Sequence, residues 1–522
     1  MIWARSLYPC CGNFALRKPN DAGAMAVVFG LLLLLIVEQV AGTAAGGGIL
    51  KLNHRYSGIE GSSLKSGGRG MSQQYFQRLL EHDQARHGRF LTSAVDFPLG
   101  GTFDPSVAGL YYTEVGLGTP SKQYVVQVDT GSDVLWVNCQ PCVGCPTKSD
   151  LGVPLSFYDP HTSSSQSLQC SDPLCAVGKS VNEASCTSEN TCAYSFEYGD
   201  GSTAEGYYIR DAFQYEQLDG SNSRSNATTE VVFGCSFNQS GQLSSSSQAV
   251  DGIMGFGQLD LSVPSQLAAQ GKAPHKFAHC LNGEQSGGGI LVIGDVVVAD
   301  MQFTPLVPNA SHYNVNLLGI SVNSANLSID PAEFASADSS GAIFDSGTTL
   351  AYLPQRAYDT FVRAIVESST SQPVPYQQET CFIVTGSLET TFPTVALNFD
   401  GASMLLSPEN YLLLTANVKF SNTPIWCIGW QSSSSSNGPK DNSQLTILGD
   451  LVMKDKLVLY DLENSRIGWV NYNCSSEVKV ATSSGQTQSV GSSHITPSDG
   501  TNIYAATWIL LWLLSIAIAG IM

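Results

Sequence analysis

The 522-residue sequence predicts an all-β fold made of two related halves. Hydrophobic residues make up 43% of the chain, enough for a packed core, whereas charged residues make up only 13%. Short apolar runs such as 110–117 and 124–128 alternate with turn residues, which is typical of strands joined by tight turns. One tetrad occurs twice, as Asp129-Thr130-Gly131-Ser132 and as Asp345-Ser346-Gly347-Thr348, and this repetition indicates an internal duplication.

Each tetrad follows an apolar run, 124–128 in the first half and 342–344 in the second. This pattern predicts a buried strand that ends in a glycine turn and presents a carboxylate. Downstream of each tetrad lies a second matching segment of two apolar residues and a glycine, 253–255 and 447–449. The duplication therefore extends beyond the tetrads, and it predicts two equivalent carboxylates facing each other across a cleft.

Two facing carboxylates can act as an acid–base pair. Hydrolysis of a peptide bond needs one group to deprotonate water and another to protonate the carbonyl oxygen. Two negative charges ~4 Å apart at an effective dielectric near 20 repel by about 4 kcal/mol. One carboxyl therefore stays protonated while the other ionises, and the shared proton belongs to the pair rather than to either residue.

With its two tetrads and their downstream segments, the chain resembles the pepsin-type aspartic endopeptidases from about residue 110 to residue 474. The resemblance implies a bilobal pepsin-like fold, with two related β-barrel-like lobes and the active-site cleft between them. It implies catalytic roles for Asp129 and Asp345. It also implies supporting roles for the rest of both tetrads, namely Thr130, Gly131, Ser132, Ser346, Gly347 and Thr348.

The segment 195–202 reads as a hairpin, and its Asp200-Gly201 pair predicts a two-residue type I′ turn. The hairpin resembles the family's flap, which implies that Tyr198 and Gly199 lie over the cleft. Trp136 matches the tryptophan that hydrogen-bonds the flap tyrosine in that family. The alternative is structural: Tyr198 as a cross-strand aromatic residue and Trp136 as a core residue.

The charge distribution argues against nucleic-acid binding. The net charge is −19, and residues 1–106 carry 10 basic against 7 acidic residues, so the excess of acid lies in the body. The glycine-rich stretches 46–48 and 287–289 lack the Lys-Ser/Thr partner of a phosphate loop. His275, His279 and His312 have no acidic residue or cysteine at a spacing that would indicate a catalytic or metal-binding role. We therefore expect no cofactor and no metal. The expected substrates are polypeptides. The protein should be a monomer, since one chain already holds both halves.

The N-terminal region reads as targeting and processing segments. An apolar run at 26–37, preceded by basic residues and followed by small ones, predicts a signal peptide over 1–45. Initiation at Met25 and a signal anchor are the alternatives. Residues 46–106 are basic, with a helix predicted around 73–89, and read as a prosegment; the alternative is a disordered extension. The predicted lobes follow at 107–300 and 301–474.

The chain has 14 cysteines, of which Cys10 and Cys11 fall in the predicted signal peptide. The remaining 12 predict up to six disulfides formed in an oxidising compartment. The spacing of Cys139, Cys142 and Cys145 resembles that of a metal-binding or iron–sulfur site, but the predicted secretion favours disulfides. The segment 139–192 resembles the cysteine-rich insertion of the nepenthesin-like plant branch. The resemblance also implies a disulfide between Cys381 and Cys427.

The last 20 residues, 503–522, are apolar and uncharged, and no basic cluster follows them. Small residues and a polar spacer precede them, which is the order of a glycosylphosphatidylinositol (GPI) attachment signal, with Ser493 or Ser498 as the attachment residue. The alternative is one C-terminal membrane-spanning helix. Residues 475–502 are predicted to be a flexible Ser-rich stalk. Five sequons predict glycosylation at Asn226, Asn238, Asn309, Asn326 and Asn473.

These features together predict an aspartic endopeptidase that works at acidic pH and is tethered at the outer face of the plasma membrane. The alternative is a catalytically silent pepsin-fold binding protein or inhibitor at the cell surface. The two differ at the carboxylate pair, because silent members lose an aspartate or distort a tetrad. Both tetrads are intact in this sequence.

Overall fold

The computed structural model describes residues 93–102, 110–218, 223–284, 287–336, 340–376, 379–417, 423–434, 444–482, 485–493 and 495. It divides into two units, Met1–Leu79 and Leu80–Met522, and every described residue belongs to the second. The predicted signal peptide, the predicted helix at 73–89, Ser498 and the apolar segment 503–522 lie outside the described residues. Within the described residues, no helix combines the length and apolarity needed to cross a bilayer.

The predicted all-β fold class is confirmed, since strands dominate both halves of the described chain. The strands of the first half are β1 Ala94–Phe97, β2 Leu99–Thr102, β3 Leu110–Leu117, β4 Lys122–Asp129, β5 Leu135–Val143, β6 Gln166–Ser167, β7 Ala184–Cys186, β8 Cys192–Glu197, β9 Thr203–Leu218, β10 Arg224–Ser240, β11 Gly252–Gly255, β12 Lys276–Leu281 and β13 Gly289–Ile293. Two helices accompany them, α1 Pro173–Ser180 and α2 Val263–Ala269.

The second half continues in the same style. Its strands are β14 Gln302–Pro305, β15 Asn314–Val315, β16 Leu317–Val322, β17 Ala325–Asn326, β18 Ser340–Phe344, β19 Ala351–Leu353, β20 Pro373–Tyr376, β21 Glu379–Ile383, β22 Val395–Phe399, β23 Ala402–Leu406, β24 Leu412–Asn417, β25 Pro424–Ile428, β26 Trp430–Ser432, β27 Gln444–Leu448, β28 Lys456–Asp461, β29 Arg466–Asn471, β30 Val478–Ala481 and β31 Thr487–Val490. Its helices are α3 Gln355–Ser368, α4 Leu388–Thr391 and α5 Asp450–Met453.

One large sheet joins the two halves. It holds 16 strands, most of them from the first half, and it continues into β28, β29 and β14 of the second. The junction is the antiparallel pairing of β12 with β28, in which Lys276 lies opposite Asp461. The two halves therefore share one continuous hydrogen-bonded sheet, which fixes their positions relative to each other.

The duplication in the sequence corresponds to a duplicated strand arrangement. Strand β11 runs parallel to β4 and antiparallel to β5, and β27 runs parallel to β18 and antiparallel to β19. The glycine that ends each downstream segment allows a close crossing, because a Cβ at Gly255 or Gly449 would collide with backbone atoms of the neighbouring turn. Each tetrad is thus held against the same support.

The predicted prosegment, 46–106, overlaps two strands of the folded body. Strand β1 pairs with β13 and β9 inside the large sheet, and β2 pairs with β3. All four residues of β1 are buried, since this strand is paired on both edges, and Leu99 of β2 is fully buried as well. Residues 93–102 are therefore part of the folded body, and the end of the prosegment stays a prediction.

The predicted stalk also needs correction. Residues 478–490 form a hairpin of β30 and β31, and its Val478, Val480 and Val490 are buried. The hairpin bonds to the body where the Ala481 N–H donates to the Asp295 carbonyl at 2.8 Å. The Ser-rich composition hid the alternation of these valines, which is the pattern of a half-buried strand.

Six disulfides cross-link the described chain. They join Cys139 to Cys235, Cys142 to Cys145, Cys170 to Cys186, Cys175 to Cys192, Cys280 to Cys474 and Cys381 to Cys427. The last is the pair that the family resemblance implied. All 12 cysteines after the predicted signal peptide are paired, which confirms the predicted number of disulfides.

The five sequon asparagines differ in accessibility. Four are exposed, namely Asn226, Asn309, Asn326 and Asn473. Asn238 is half-buried, and its Nδ2, the atom to which a glycan is attached, donates to Glu205 Oε2 at 3.0 Å. Glycosylation stays a prediction at all five sites, with Asn238 the least accessible.

Candidate active site

The two tetrads form matching turns at the ends of β4 and β18. The Gly131 N–H donates to Asp129 Oδ1 at 2.8 Å, and the Ser132 hydroxyl donates to Asp129 Oδ2 at 2.5 Å. In the second turn, the Gly347 N–H and the Thr348 hydroxyl donate to the two oxygens of Asp345 at 2.8 and 2.6 Å. Each carboxylate is therefore fixed by donors two and three residues along its own chain.

The second residue of each tetrad reaches across to the other turn. The Ser346 N–H donates to Thr130 Oγ1 at 2.9 Å, and the Thr130 N–H donates to Ser346 Oγ at 3.2 Å. Each hydroxyl in turn donates to a carbonyl of the opposite strand, Thr130 to Phe344 at 3.2 Å and Ser346 to Val128 at 3.0 Å. These four buried hydrogen bonds lock the two turns into one rigid unit.

The carboxyl groups of Asp129 and Asp345 face each other directly. A Cβ at Gly131 would collide with the Asp345 carboxylate, and a Cβ at Gly347 would collide with the Asp129 carboxylate. Burial raises the pKa of Asp129 well above its usual value, and the negative charge of Asp345 adds to the shift. A pair with one shared proton can both activate a water molecule and protonate a carbonyl oxygen.

The predicted flap lies beside this pair. Tyr198 follows β8, and its hydroxyl accepts a hydrogen bond from Trp136 Nε1 at 2.7 Å, which is the contact the resemblance implied. The turn itself differs from the predicted type I′. The Tyr198 N–H donates to the Ser202 carbonyl, and Gly201 has a φ of +80°, whereas Asp200 does not have a positive φ. The loop is therefore a three-residue hairpin whose last position requires glycine.

No sequence pattern predicted a role for two buried acids next to the pair. Asp133 follows the first tetrad directly, and its Oδ1 accepts the Leu259 N–H at 2.7 Å. Asp450 follows the second downstream glycine, and its Oδ1 is buried without a hydrogen-bond partner in the described structure. Burial raises the pKa of both, to about 6 for Asp133. Their position directly after each motif was the available signal.

The three histidines do not enter the site as acid–base groups. His279 is fully buried, its Nε2 lies 3.1 Å from the Tyr460 hydroxyl, and burial lowers its pKa to about 3. His275 lies near the Ser265 hydroxyl at 3.1 Å. His312 lies within electrostatic range of Asp133.

The cysteine run does not offer metal ligands. Cys139 is bonded to Cys235, and Cys142 is bonded to Cys145, so their sulfurs are not free thiolates. Cys170, Cys175 and Cys186 come close together in space, but each of them belongs to a disulfide as well. These clusters are cross-links of the insertion.

Known proteins match most of this chain. The family model described as xylanase inhibitor N-terminal matches residues 111–295, and the xylanase inhibitor C-terminal model matches residues 312–471. Aspartic proteinase 36 of Arabidopsis thaliana is 40% identical over 479 residues, covering 91% of this chain and 93% of that protein. Aspartic proteinase nepenthesin-2 of Nepenthes gracilis is 29% identical over 380 residues, covering 70% of this chain and 78% of its own.

Solved structures share the fold. A crystal structure of edgp matches with a TM-score of 0.58 and 21% identity, covering 73% of this chain and 96% of that one. The crystal structure of basic 7S globulin from soybean matches with a TM-score of 0.55 and 21% identity, covering 73% and 97%. At this identity the likeness concerns the fold alone.

The matching turns and the duplicated strand arrangement point to the same family as the relatives do. One named aspartic proteinase is 40% identical over 91% of this chain. The chain belongs to the pepsin-type aspartic proteinase family of plants, the family whose two halves the xylanase inhibitor models describe and whose members include the nepenthesins.

Proposed function

We propose that this protein is an active aspartic endopeptidase, with Asp129 and Asp345 as the catalytic pair. The observation that carries the proposal is the facing of two equally supported carboxylates, each held by an N–H and a hydroxyl of its own turn. A water bound between them loses its proton to the ionised carboxylate and attacks the peptide carbonyl. The protonated carboxyl donates its proton to the carbonyl oxygen.

The proposed pH range is acidic. The pair works only while one carboxyl holds a proton, and burial together with the neighbouring charge raises the pKa of Asp129. Above the higher apparent pKa of the pair both groups ionise, and the general acid is lost. Activity should therefore be greatest in acid and decline toward neutral pH.

The test uses purified protein on an unbiased peptide library between pH 3 and pH 7. Cleavage in acid that is blocked by a statine-type transition-state mimic supports the proposal. Chelators and thiol reagents should have no effect, since the described cysteines are disulfide-bonded. Full folding with no cleavage of any peptide would reject the proposal.

A silent binding protein is the second candidate, because the matching family models are described as xylanase inhibitors. Those names belong to the models, and silence would require a defect at the pair. Both turns keep their full set of hydrogen bonds, which favours activity. The library assay separates the two candidates.

We also propose that the protein is secreted and held at the cell surface by a GPI anchor. Of the two candidate residues, Ser498 is preferred, since the backbone N–H and carbonyl of Ser493 both bond to Gly289, at 2.8 and 2.9 Å. Attachment at Ser493 would require this edge of the body to open. Phosphatidylinositol-specific phospholipase C should release active enzyme from cells; peptides from 503–522 in the mature protein would instead support a membrane-spanning helix.

A further inference from the structure

We propose that Glu183 is a specificity-determining residue, which gives the cleft wall beside the flap a subsite for a basic side chain of the substrate. The inference rests on the proposed peptidase function and names part of its substrate preference. The expected substrates carry lysine or arginine at the position that reaches this wall.

Glu183 occupies a defined place at the end of helix α1. Asn182 has a φ of +62°, its N–H donates to the Lys179 carbonyl at 3.2 Å, and the Glu183 N–H donates to the Gly178 carbonyl at 2.9 Å. These bonds form a Schellman motif, in which the position of Glu183 frequently carries an apolar residue that packs against the helix. The helix end needs only the backbone of this residue, so the carboxylate is not explained by the local fold.

The surroundings of Glu183 bring it to the active-site side of the insertion. Helix α1 packs closely here: a Cβ at Gly178 would lie 3.4 Å from Leu261 Cδ1 and 3.6 Å from the Tyr208 hydroxyl. The charge of Glu183 acts on Tyr208 and on the flap residue Tyr198, and Glu183 itself feels the charge of Asp133. Ala184, the next residue, lies opposite Tyr194 in the pairing of β7 with β8 and packs in the same hydrophobic cluster as Tyr198, so Glu183 lies beside the strand that leads into the flap.

The polar groups at this wall lack a partner. Within the described part of the chain, the Glu183 carboxylate makes no hydrogen bond or ion pair, although the residue is only partly exposed. The Tyr208 side chain is fully buried, and its hydroxyl also has no partner there. Burial raises the pKa of Tyr208, and the charges of Glu183 and Asp133 add to the shift. Gly178 accepts the Glu183 N–H, and a Cβ at Gly178 would lie 3.6 Å from the Tyr208 hydroxyl, so this hydroxyl lies near the end of the helix.

A cation is the ligand that this arrangement lacks. Two carboxyls lie within electrostatic range of each other; His312 acts on Asp133, but no basic group is among those that act on Glu183. An ammonium or guanidinium group would ion-pair with Glu183 and offset the repulsion from Asp133. Substrate bound at the catalytic pair is the proposed source of this group, since Tyr198 lies within electrostatic range of Asp129.

The preference should depend on pH. Burial and the charge of Asp133 raise the pKa of Glu183 to about 7, and the charge of Glu183 acts in turn on Tyr198 of the flap and on Tyr208 of β9. In acid the empty subsite holds a neutral carboxyl, which must lose its proton to pair with a cation. Selectivity for a basic side chain should therefore increase between pH 4 and pH 6.

The test compares matched peptides that carry lysine or norleucine at each position around the cleaved bond. Wild type should favour lysine at one position, and Glu183→Gln should reduce that ratio of kcat/KM by about tenfold. Glu183→Lys should shift the preference at the same position toward glutamate. Glu189→Gln makes the same charge change at an exposed residue of the same insertion and should leave the ratio unchanged.

The outcomes separate this inference from the proposed function. Cleavage by wild type without a basic preference, or an identical profile in Glu183→Gln, overturns the inference and leaves the peptidase intact. No cleavage by folded wild type overturns both. A uniform loss of activity on all peptides by a folded Glu183→Gln protein shows a structural role and also overturns the inference.

Discussion

At the scale of single residues, the site is built from very short-range contacts repeated twice. The donors to Asp129 come from Gly131 and Ser132, and the equivalent donors reach Asp345. Because such bonds depend only on neighbouring residues and a glycine turn, a tetrad in the sequence is enough to predict them. Asp133, Asp450 and Glu183 were not predictable in this way, since their properties depend on burial by distant segments.

The Tyr198 hydroxyl offers a direct residue-scale test of the flap. Tyr198→Phe removes the acceptor of the Trp136 indole N–H, so the flap loses one fixed contact and that donor loses its partner. A typical hydrogen bond contributes about 1 kcal/mol, so kcat/KM should fall by about fivefold with little change in melting temperature.

Tyr207→Phe is the matched control, because this half-buried tyrosine lies on β9 and has no hydrogen-bonded hydroxyl in the described structure. Its kcat/KM should stay within about twofold of wild type. Equal losses in the two variants would reject the assigned role of Tyr198.

At the scale of elements, the strands were predictable and the ends of the body were not. Alternation and turn residues predicted β3 and β4, and the repeated downstream segments predicted their partners β11 and β27. The C-terminal hairpin escaped because Ser and Thr dominate the composition around it. Its stability comes from burial against the large sheet, which composition alone cannot reveal.

The C-terminal hairpin should contribute to stability rather than act as a spacer. Val480 is fully buried in a cluster with Cys280 and Cys474, so Val480→Ala should lower the free energy of unfolding by about 1–2.5 kcal/mol. Val297→Ala makes the same change beside it at a side chain that is 51% exposed, and its effect should be below about 0.5 kcal/mol. Denaturant unfolding measures the free energy of unfolding of both variants. Equal effects of the two substitutions would support the interpretation of this segment as a flexible stalk.

At the scale of the whole molecule, the buried acids should make the folded protein more stable in acid than at neutral pH. Burial raises the pKa of Asp133 to about 6 and of Glu183 to about 7, and it raises the pKa of Asp129 and Asp450 as well. Their unfolded values lie near 4, so between about pH 4 and pH 7 the folded state binds more protons than the unfolded state. Stability from these groups is present in acid and is lost as the pH rises.

The melting temperature should therefore fall between pH 4 and pH 7, with a loss of at least about 2 kcal/mol in the free energy of unfolding. His279 and His275 oppose this, because burial lowers the pKa of both, to about 3 for His279, but more acids than histidines are shifted. Glu183→Gln should flatten the slope, and the exposed Glu189→Gln should not. A melting temperature that rises toward pH 7 would contradict the assignment of these acids.

The central claim is that Asp129 and Asp345 together hydrolyse peptide bonds, and replacement of one aspartate tests it most directly. An amide cannot ionise or share the proton, so Asp345→Asn should lower kcat in acid by at least about a thousandfold while the melting curve stays cooperative. Asp300→Asn is the control, since this exposed residue has a φ of +62° that asparagine also adopts, and it should keep full activity. Cleavage by pure Asp345→Asn protein at more than about a tenth of the wild-type rate would contradict the account.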